Sequence, residues 1–210
     1  MKKRIIITID RQYGSGGRYI GEQLAKELGI PFYNEEITEM AAEQSGMSKD
    51  VFEKVDETAA SSLLYSMVTG AYMFGNHVTT ALDLPINDKL FIAQTDVIKK
   101  IAAEGSCVIV GRCADYILRD DKDLVSLFIY ADKKVRMKRA VEKYGLAEDK
   151  VESIINKKDK KRGSYYNYYA GEKWGNSVNY NLCIDSGIVG TEGSKAVIKA
   201  FIDAYIENNG

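Results

Sequence analysis

The residues with the clearest chemical content are Gly14-Ser15-Gly16-Gly17-Arg18-Tyr19, which follow the β-branched run Ile5-Ile6-Ile7-Thr8-Ile9 after only Asp10-Arg11-Gln12-Tyr13. Glycines let backbone N–H groups close around an anion, and a helix N-terminus behind them adds a favourable dipole. The chemistry this suits is the binding of phosphate groups. The lysine-bearing pattern G-x-x-x-x-G-K-[ST] is nevertheless not met. With Gly16 as its second glycine, Arg11 stands for the first glycine, Gly17 for the lysine and Arg18 for the Ser/Thr. A register shifted by one puts Arg18 in the lysine position, as a permanent bidentate charge, and Tyr19 in the hydroxyl position. A dinucleotide pattern G-x-G-x-x-G fits poorly, because counting from Gly14 its last glycine falls on Tyr19. A tight strand-to-helix turn without a ligand is the plain structural alternative.

The surrounding elements decide how such a loop is held. Residues 4–9 read as a strand buried on both faces, since the apolar residues are continuous rather than alternating. Ile20, Leu24 and Leu28 have helical spacing, and Gly29 suits the end of that helix. Ile30 to Tyr33 reads as a short second strand, and Asn34 as the cap of a helix carrying Glu35 and Glu36 in its first turn. A largely helical stretch follows, with Ser48 capping a segment of Val51, Phe52 and Val55, then an apolar helix from Leu63 to Tyr72. Gly75 to Asp88 reads as a loop holding the single histidine, His77, in a solvated or capping role. Asn87 or Asp88 would cap a helix to Ala103. Strands are expected at 106–110, 124–130 and 180–185, with helices from Asp132, over 147–161 and over 191–208. Alternating strands and helices imply an α/β fold of three layers, a parallel sheet between helices.

Bulk properties set the class. At 210 residues, 45% hydrophobic and 28% charged, the chain suits one soluble domain. A net charge of -1 gives no global attraction to nucleic acid or anionic membranes, so anion binding must come from local clusters. The basic start Lys2-Lys3-Arg4 precedes an apolar run too short for a signal peptide, and no stretch approaches a membrane span; a cytoplasmic protein is expected. Cys107, Cys113 and Cys183 have no metal-ligand spacing and read as reduced thiols. Met40, Met47, Met67 and Met73 read as core filler.

Later motifs carry a family resemblance. Val108-Ile109-Val110-Gly111-Arg112 resembles the strand and Gly-Arg of bacterial cytidylate kinases, and Phe128-Ile129-Tyr130-Ala131 with Arg136-Met137-Lys138-Arg139 resembles their strand and arginine-bearing helix. Asp159-Lys160-Lys161-Arg162 resembles the last half of their lid signature R-D-x-x-D-x-x-R, whose first Arg-Asp falls here on Ile155-Asn156. Ile184-Asp185-Ser186 resembles their Ile-Asp-Thr/Ser. With the modified loop, the chain is similar to the divergent cytidylate kinase-like family of bacterial proteins. The resemblance implies a P-loop kinase fold over residues 1–210, with a helical insertion at about 34–104 and a lid at about 145–176.

It also implies roles. ATP and Mg²⁺ are the expected cofactors, and phosphoryl transfer to a nucleoside monophosphate, cytidylate first, is the expected reaction. Gly14, Ser15, Gly16 and Gly17 would cradle the donor phosphates, with Arg18 as the lysine substitute and Tyr19 beside it. Arg112, at a strand's carboxyl end, would clamp the acceptor phosphate; pairing with Asp115 or Asp10 is the structural alternative. Arg136 and Arg139, three apart, share a helix face and would border the nucleotide, or form a solvated basic face. Asp159 and Arg162 would act from the lid, whose closure excludes water. The sequence names no metal ligand: Ser15, Asp10, or phosphates and water alone remain open. The cluster of lysines at 157–161 with Tyr165, Tyr166, Tyr168, Tyr169 and Trp174 admits an RNA-stacking reading, but a phosphate-grasping lid explains it better. The same aromatics could line a self-association surface in a homo-oligomer. Two rivals to the kinase stand: a nucleotide-binding regulator without transfer chemistry, and a kinase of a non-nucleotide small molecule.

Overall fold

The structure is a computed structural model describing residues 4–46 and 85–208. The expected segments at Ser48–Val55 and Leu63–Tyr72, and the readings of His77, Met47, Met67 and Met73, lie outside the described residues. Along the chain come β1 (Ile6–Arg11), α1 (Gly17–Leu28), β2 (Phe32–Tyr33), α2 (Glu36–Ser45), α3 (Ile86–Glu104), β3 (Cys107–Val110) and α4 (Ala114–Ile117). Then follow β4 (Leu124–Tyr130), α5 (Lys133–Tyr144), α6 (Val151–Ala170), a 3₁₀ turn at Ser177–Asn179, β5 (Leu182–Asp185) and α7 (Gly190–Asn208). The chain divides into two compact units, one of Met1–Glu35 with Ile98–Gly210 and one of Glu36–Val97.

In the larger unit all five strands run parallel in the order β2-β3-β1-β4-β5. Continuous apolar strands are what such a sheet requires, because both faces are covered. Side-chain alternation then sorts the residues. Ile7, Ile9, Val108, Val110, Val125, Leu127 and Ile129 meet Ile20 and Leu24 of α1 and Ile198 and Ile202 of α7. Arg11 shares the parity of Ile7 and Ile9, whereas Asp10 lies opposite Phe128 in register and points to the other face. There α4 packs on β1 and β4. Lys195 of α7, almost wholly buried, reaches Glu27 at the end of α1 at 2.7 Å and so ties the two helices. At the amino edge, Arg4 binds Asp121 at 2.6 Å, Asp123 at 2.9 Å and the Ala102 carbonyl.

The smaller unit places Ile37, Ala41 and Ala42 of α2 and Leu90 and Val97 of α3 inside, with Gln94 donating to Thr38 at 3.4 Å. The helix expected to start at Asn87 or Asp88 starts at Ile86, where the Pro85 carbonyl receives the Asp88 and Lys89 amides. The helix expected over 147–161 runs instead over Val151–Ala170. Its extra turns carry tyrosines: Tyr165 and Tyr168 each meet Tyr169 edge-on along the helix, while Tyr166 packs beyond it, on Tyr180 at 6.3 Å.

Candidate functional site

Site residues gather at the carboxyl ends of β1, β3, β4 and β5, where open parallel sheets bind ligands. The glycine loop turns there between β1 and α1. Gly14 and Gly16 are left-handed, with φ of 80° and 83°. A Cβ on Gly14 would lie 2.7 Å from the Arg136 carbonyl, so the position admits only glycine. Ser15 is fully buried; its hydroxyl donates to the Gln12 carbonyl at 2.8 Å and receives the Gly17 amide at 3.4 Å.

The loop is held from outside by its carbonyls. Arg136 and Arg139, set three apart on α5, both face it. Arg136 donates through Nη1 to the Tyr13 carbonyl at 3.2 Å and to Asp159, and through Nε to the Ala131 carbonyl. Arg139 donates to the Gly14 carbonyl at 3.0 Å and to Ser186, whose hydroxyl in turn donates to the Ser15 carbonyl. The first amides of α1, like those of any helix start, lack intrahelical partners, and that of Gly17 turns to the Ser15 hydroxyl. One loop amide already has an anion: Asp159 of α6 accepts the Tyr13 N–H at 2.7 Å. Arg162, one turn on, donates to the Arg11 carbonyl at 3.0 Å and lies over the Tyr13 ring at 5.5 Å.

Behind the loop sits a buried polar cluster. Tyr180 donates to Asp10 at 2.9 Å, and Tyr166 donates to Asp115 at 2.8 Å. Burial pushes the Asp10 carboxyl upward, while Arg11, the Tyr180 hydroxyl and Arg162 oppose it. Burial, then the neighbouring Asp10, pushes Asp115 up to about 8, so it is protonated at neutral pH. Arg162 is depressed by burial against the pull of Asp159 and Asp10, and the Arg112 charge adds to that depression. Arg11 and Arg162 thus both act on Asp10, while Asp159, Asp10 and Arg112 all act on Arg162. Arg112 is aimed by a strained turn: Gly111, Arg112 and Cys113 are all left-handed, at φ of 77°, 62° and 54°. Left-handed backbone at two non-glycine residues in succession is a feature of functional sites. All three cysteines are free thiols, and burial pushes Cys107 up to about 11 and Cys113 higher still.

Beside the cluster opens a cleft of about 600 Å³ lined by Gln12, Phe128, Tyr130, Lys173 and Trp174, among others. Trp174 meets Phe128 edge-on at 5.3 Å, and Phe128 leans on Tyr180 at 5.0 Å. Such a wall suits a planar ring with polar edges.

Of the residues expected from sequence, the structure thus brings Gly14 to Gly17, Arg112, Arg136, Arg139, Asp159 and Arg162 together at the carboxyl ends of the strands. Arg18 and Tyr19 stand exposed on the first turn of α1. The Asp10–Tyr180 and Asp115–Tyr166 pairs join residues too distant in sequence for any motif to announce them. Ser15, a metal candidate, spends its hydroxyl on the loop backbone, and no group of three or more metal-binding side chains occurs among the described residues. The described residues build no metal cage, and beside them phosphates and water would have to supply the ligands. No described helix is long and apolar enough to cross a membrane.

Known proteins with this fold bear on the reading. An uncharacterized protein from Eubacterium ventriosum is 30% identical, with a TM-score of 0.69 over 95% of this chain and 99% of that one. Shikimate kinase from Bacteroides thetaiotaomicron (13% identity, TM-score 0.55, 96% of this chain and 99% of that one) shares the fold. So does that from Acinetobacter baumannii in complex with shikimate (11%, 0.52, 97% and 95%), which makes this a P-loop kinase fold. No curated protein matches the chain. The model of the cytidylate kinase-like family matches residues 6–188. By that match, over most of its length and through every element of the cleft, the chain belongs to the cytidylate kinase-like family.

Proposed function

We propose that this chain is an ATP-dependent phosphotransferase whose acceptor is a small phosphate-bearing molecule, a nucleoside monophosphate of the cytidylate kind first. The observation that carries the reading is the arginine-backed glycine loop opening beside Arg112 and Arg162 at the strand ends. In phosphoryl transfer the protein mainly positions the reactants and neutralises charge. Gly14 to Gly17 cradle the donor phosphates through backbone amides, with Arg18 at the solvent side of the same turn. Arg112 holds the acceptor phosphate, and Arg162 reaches the phosphoryl group in flight. As it moves, its bond to the bridging oxygen of the donor breaks while a bond to an acceptor phosphate oxygen forms. ADP leaves with the bridging electron pair. Mg²⁺, when bound with the donor, would supply further charge neutralisation.

Arg136, Arg139 and Asp159 keep the loop in shape rather than touch the reacting atoms. The test is ATP consumption with Mg²⁺ against CMP, dCMP, UMP, AMP and GMP. Selective turnover with one monophosphate supports the reading. Saturable ATP binding without turnover on any of them would mark a nucleotide-binding regulator or a kinase of another acceptor.

A further inference from the structure

The two departures of the loop from the lysine pattern touch each other. Arg11 stands where the pattern has its first glycine, and Gly17 where it has its lysine. A Cβ on Gly17 would lie 2.6 Å from the Cβ of Arg11 and 3.2 Å from its Cγ. The stem of Arg11 thus fills the space from which a side chain at 17 would grow. It passes α1 at its first residue and lays its guanidinium against Gly111, whose backbone is left-handed at φ 77°. Gly111 directly follows β3, beside β1, and its amide donates to the Ile9 carbonyl at 3.0 Å.

We infer that Arg11 is the loop cation of this protein: its guanidinium, delivered from the end of β1 instead of the start of α1, neutralises the donor phosphates. The assignment rests on the phosphotransfer reading above. Three observations carry it. Arg11 occupies the lysine's room, which explains why 17 is glycine. Its backbone is pinned by Arg162, so the side chain starts from a fixed point. Its guanidinium reaches Gly111 just past the carboxyl end of β3, so the charge lies at the end of the sheet where ligands bind. A planar fork also suits phosphate oxygens better than a point charge does.

The experiment measures ATP affinity by calorimetry and turnover with the best acceptor for wild type, R11Q, R11K, R18Q, R11G and R11G/G17K, each checked by thermal melting. R11Q is expected to weaken ATP roughly tenfold to hundredfold, the size of losing a hydrogen bond to a charged group. R11K should keep part of the affinity, and R18Q should lose at least fivefold less than R11Q. In the R11G background the stem is gone, so G17K should regain at least fivefold in affinity. The assignment is overturned if folded R11Q stays within twofold of wild type, if R18Q loses more than R11Q, or if G17K gains nothing in R11G. Should R11Q fail to fold, R11K and the R11G/G17K pair decide. A wild type that binds ATP and turns over while R11Q is unaffected defeats only this assignment. One that neither binds ATP nor turns over defeats the phosphotransfer reading, and this with it.

Discussion

Asp159 is the joint between α6 and the glycine loop, and removing its charge should show how much the joint is worth. One oxygen accepts the Tyr13 amide at 2.7 Å; the other pairs with Arg136, and the two side chains are only 17% and 9% exposed. Removing one partner of a buried pair strands the other charge, at a cost of about 3–5 kcal/mol; the residual exposure moves the expectation to about 2–4 kcal/mol for Asp159→Asn. That variant keeps an oxygen for Tyr13. Asp159→Ala loses it too, which adds about 1–2 kcal/mol. For a chain of this size the Asn variant should melt roughly 5–15 °C lower. The assay is urea unfolding of D159N, R136M and D159N/R136M beside wild type. The double variant should be at least about 1.5 kcal/mol more stable than the sum of the singles predicts, because no charge is left stranded. A D159N loss below about 0.5 kcal/mol, or simple additivity, would refute the idea that this pair holds the loop.

Asp115 sets a pH dependence of definite sign. Its folded value of about 8 lies above the value of about 4 for the unfolded chain, so its stabilising effect is complete below pH 4 and lost as pH rises through 8. Urea titrations from pH 5 to 9 should show wild type losing stability relative to Asp115→Asn, and a difference that stays flat would count against it. Gly14→Ala, strained at φ 80° and set against the Arg136 carbonyl, should cost at least about 2 kcal/mol more than Gly29→Ala, which has φ 67° but nothing within 4 Å; equal losses in denaturation would undo that argument. Trp174 is the only tryptophan and lines the cleft, so its fluorescence should change saturably when a nucleotide is titrated in. An unchanged spectrum at saturating nucleotide, with binding shown by calorimetry, would place the nucleotide elsewhere.

How far the sequence speaks differs between fold and site. Ile5 to Ile9, Cys107 to Val110 and Leu124 to Tyr130 are legible as strands because a parallel sheet buried on both faces demands unbroken apolar runs. The length of α6 was not legible: its last turns hold tyrosines without an apolar period, and Tyr166 is held there by Tyr180 and Asp115, partners distant in sequence. Spacing put Arg136 and Arg139 on one face, but nothing along the chain says that loop carbonyls would meet them. Arg11 shows the limit most plainly. In one dimension it is a missing glycine six residues from a missing lysine, and Arg18 is the arginine nearest the lysine position. In space it is Arg11 whose stem stands beside Gly17.

That contact also constrains how such a loop can change. Starting from a glycine-then-lysine loop, one replacement yields a chain with both side chains competing for the same room, and the other yields a chain with neither. Each half-way form is impaired, the first by crowding and the second by an empty cradle. The exchange of Arg11 and Gly17 is therefore a coupled step, and patterns written one position at a time will pass over chains that have taken it.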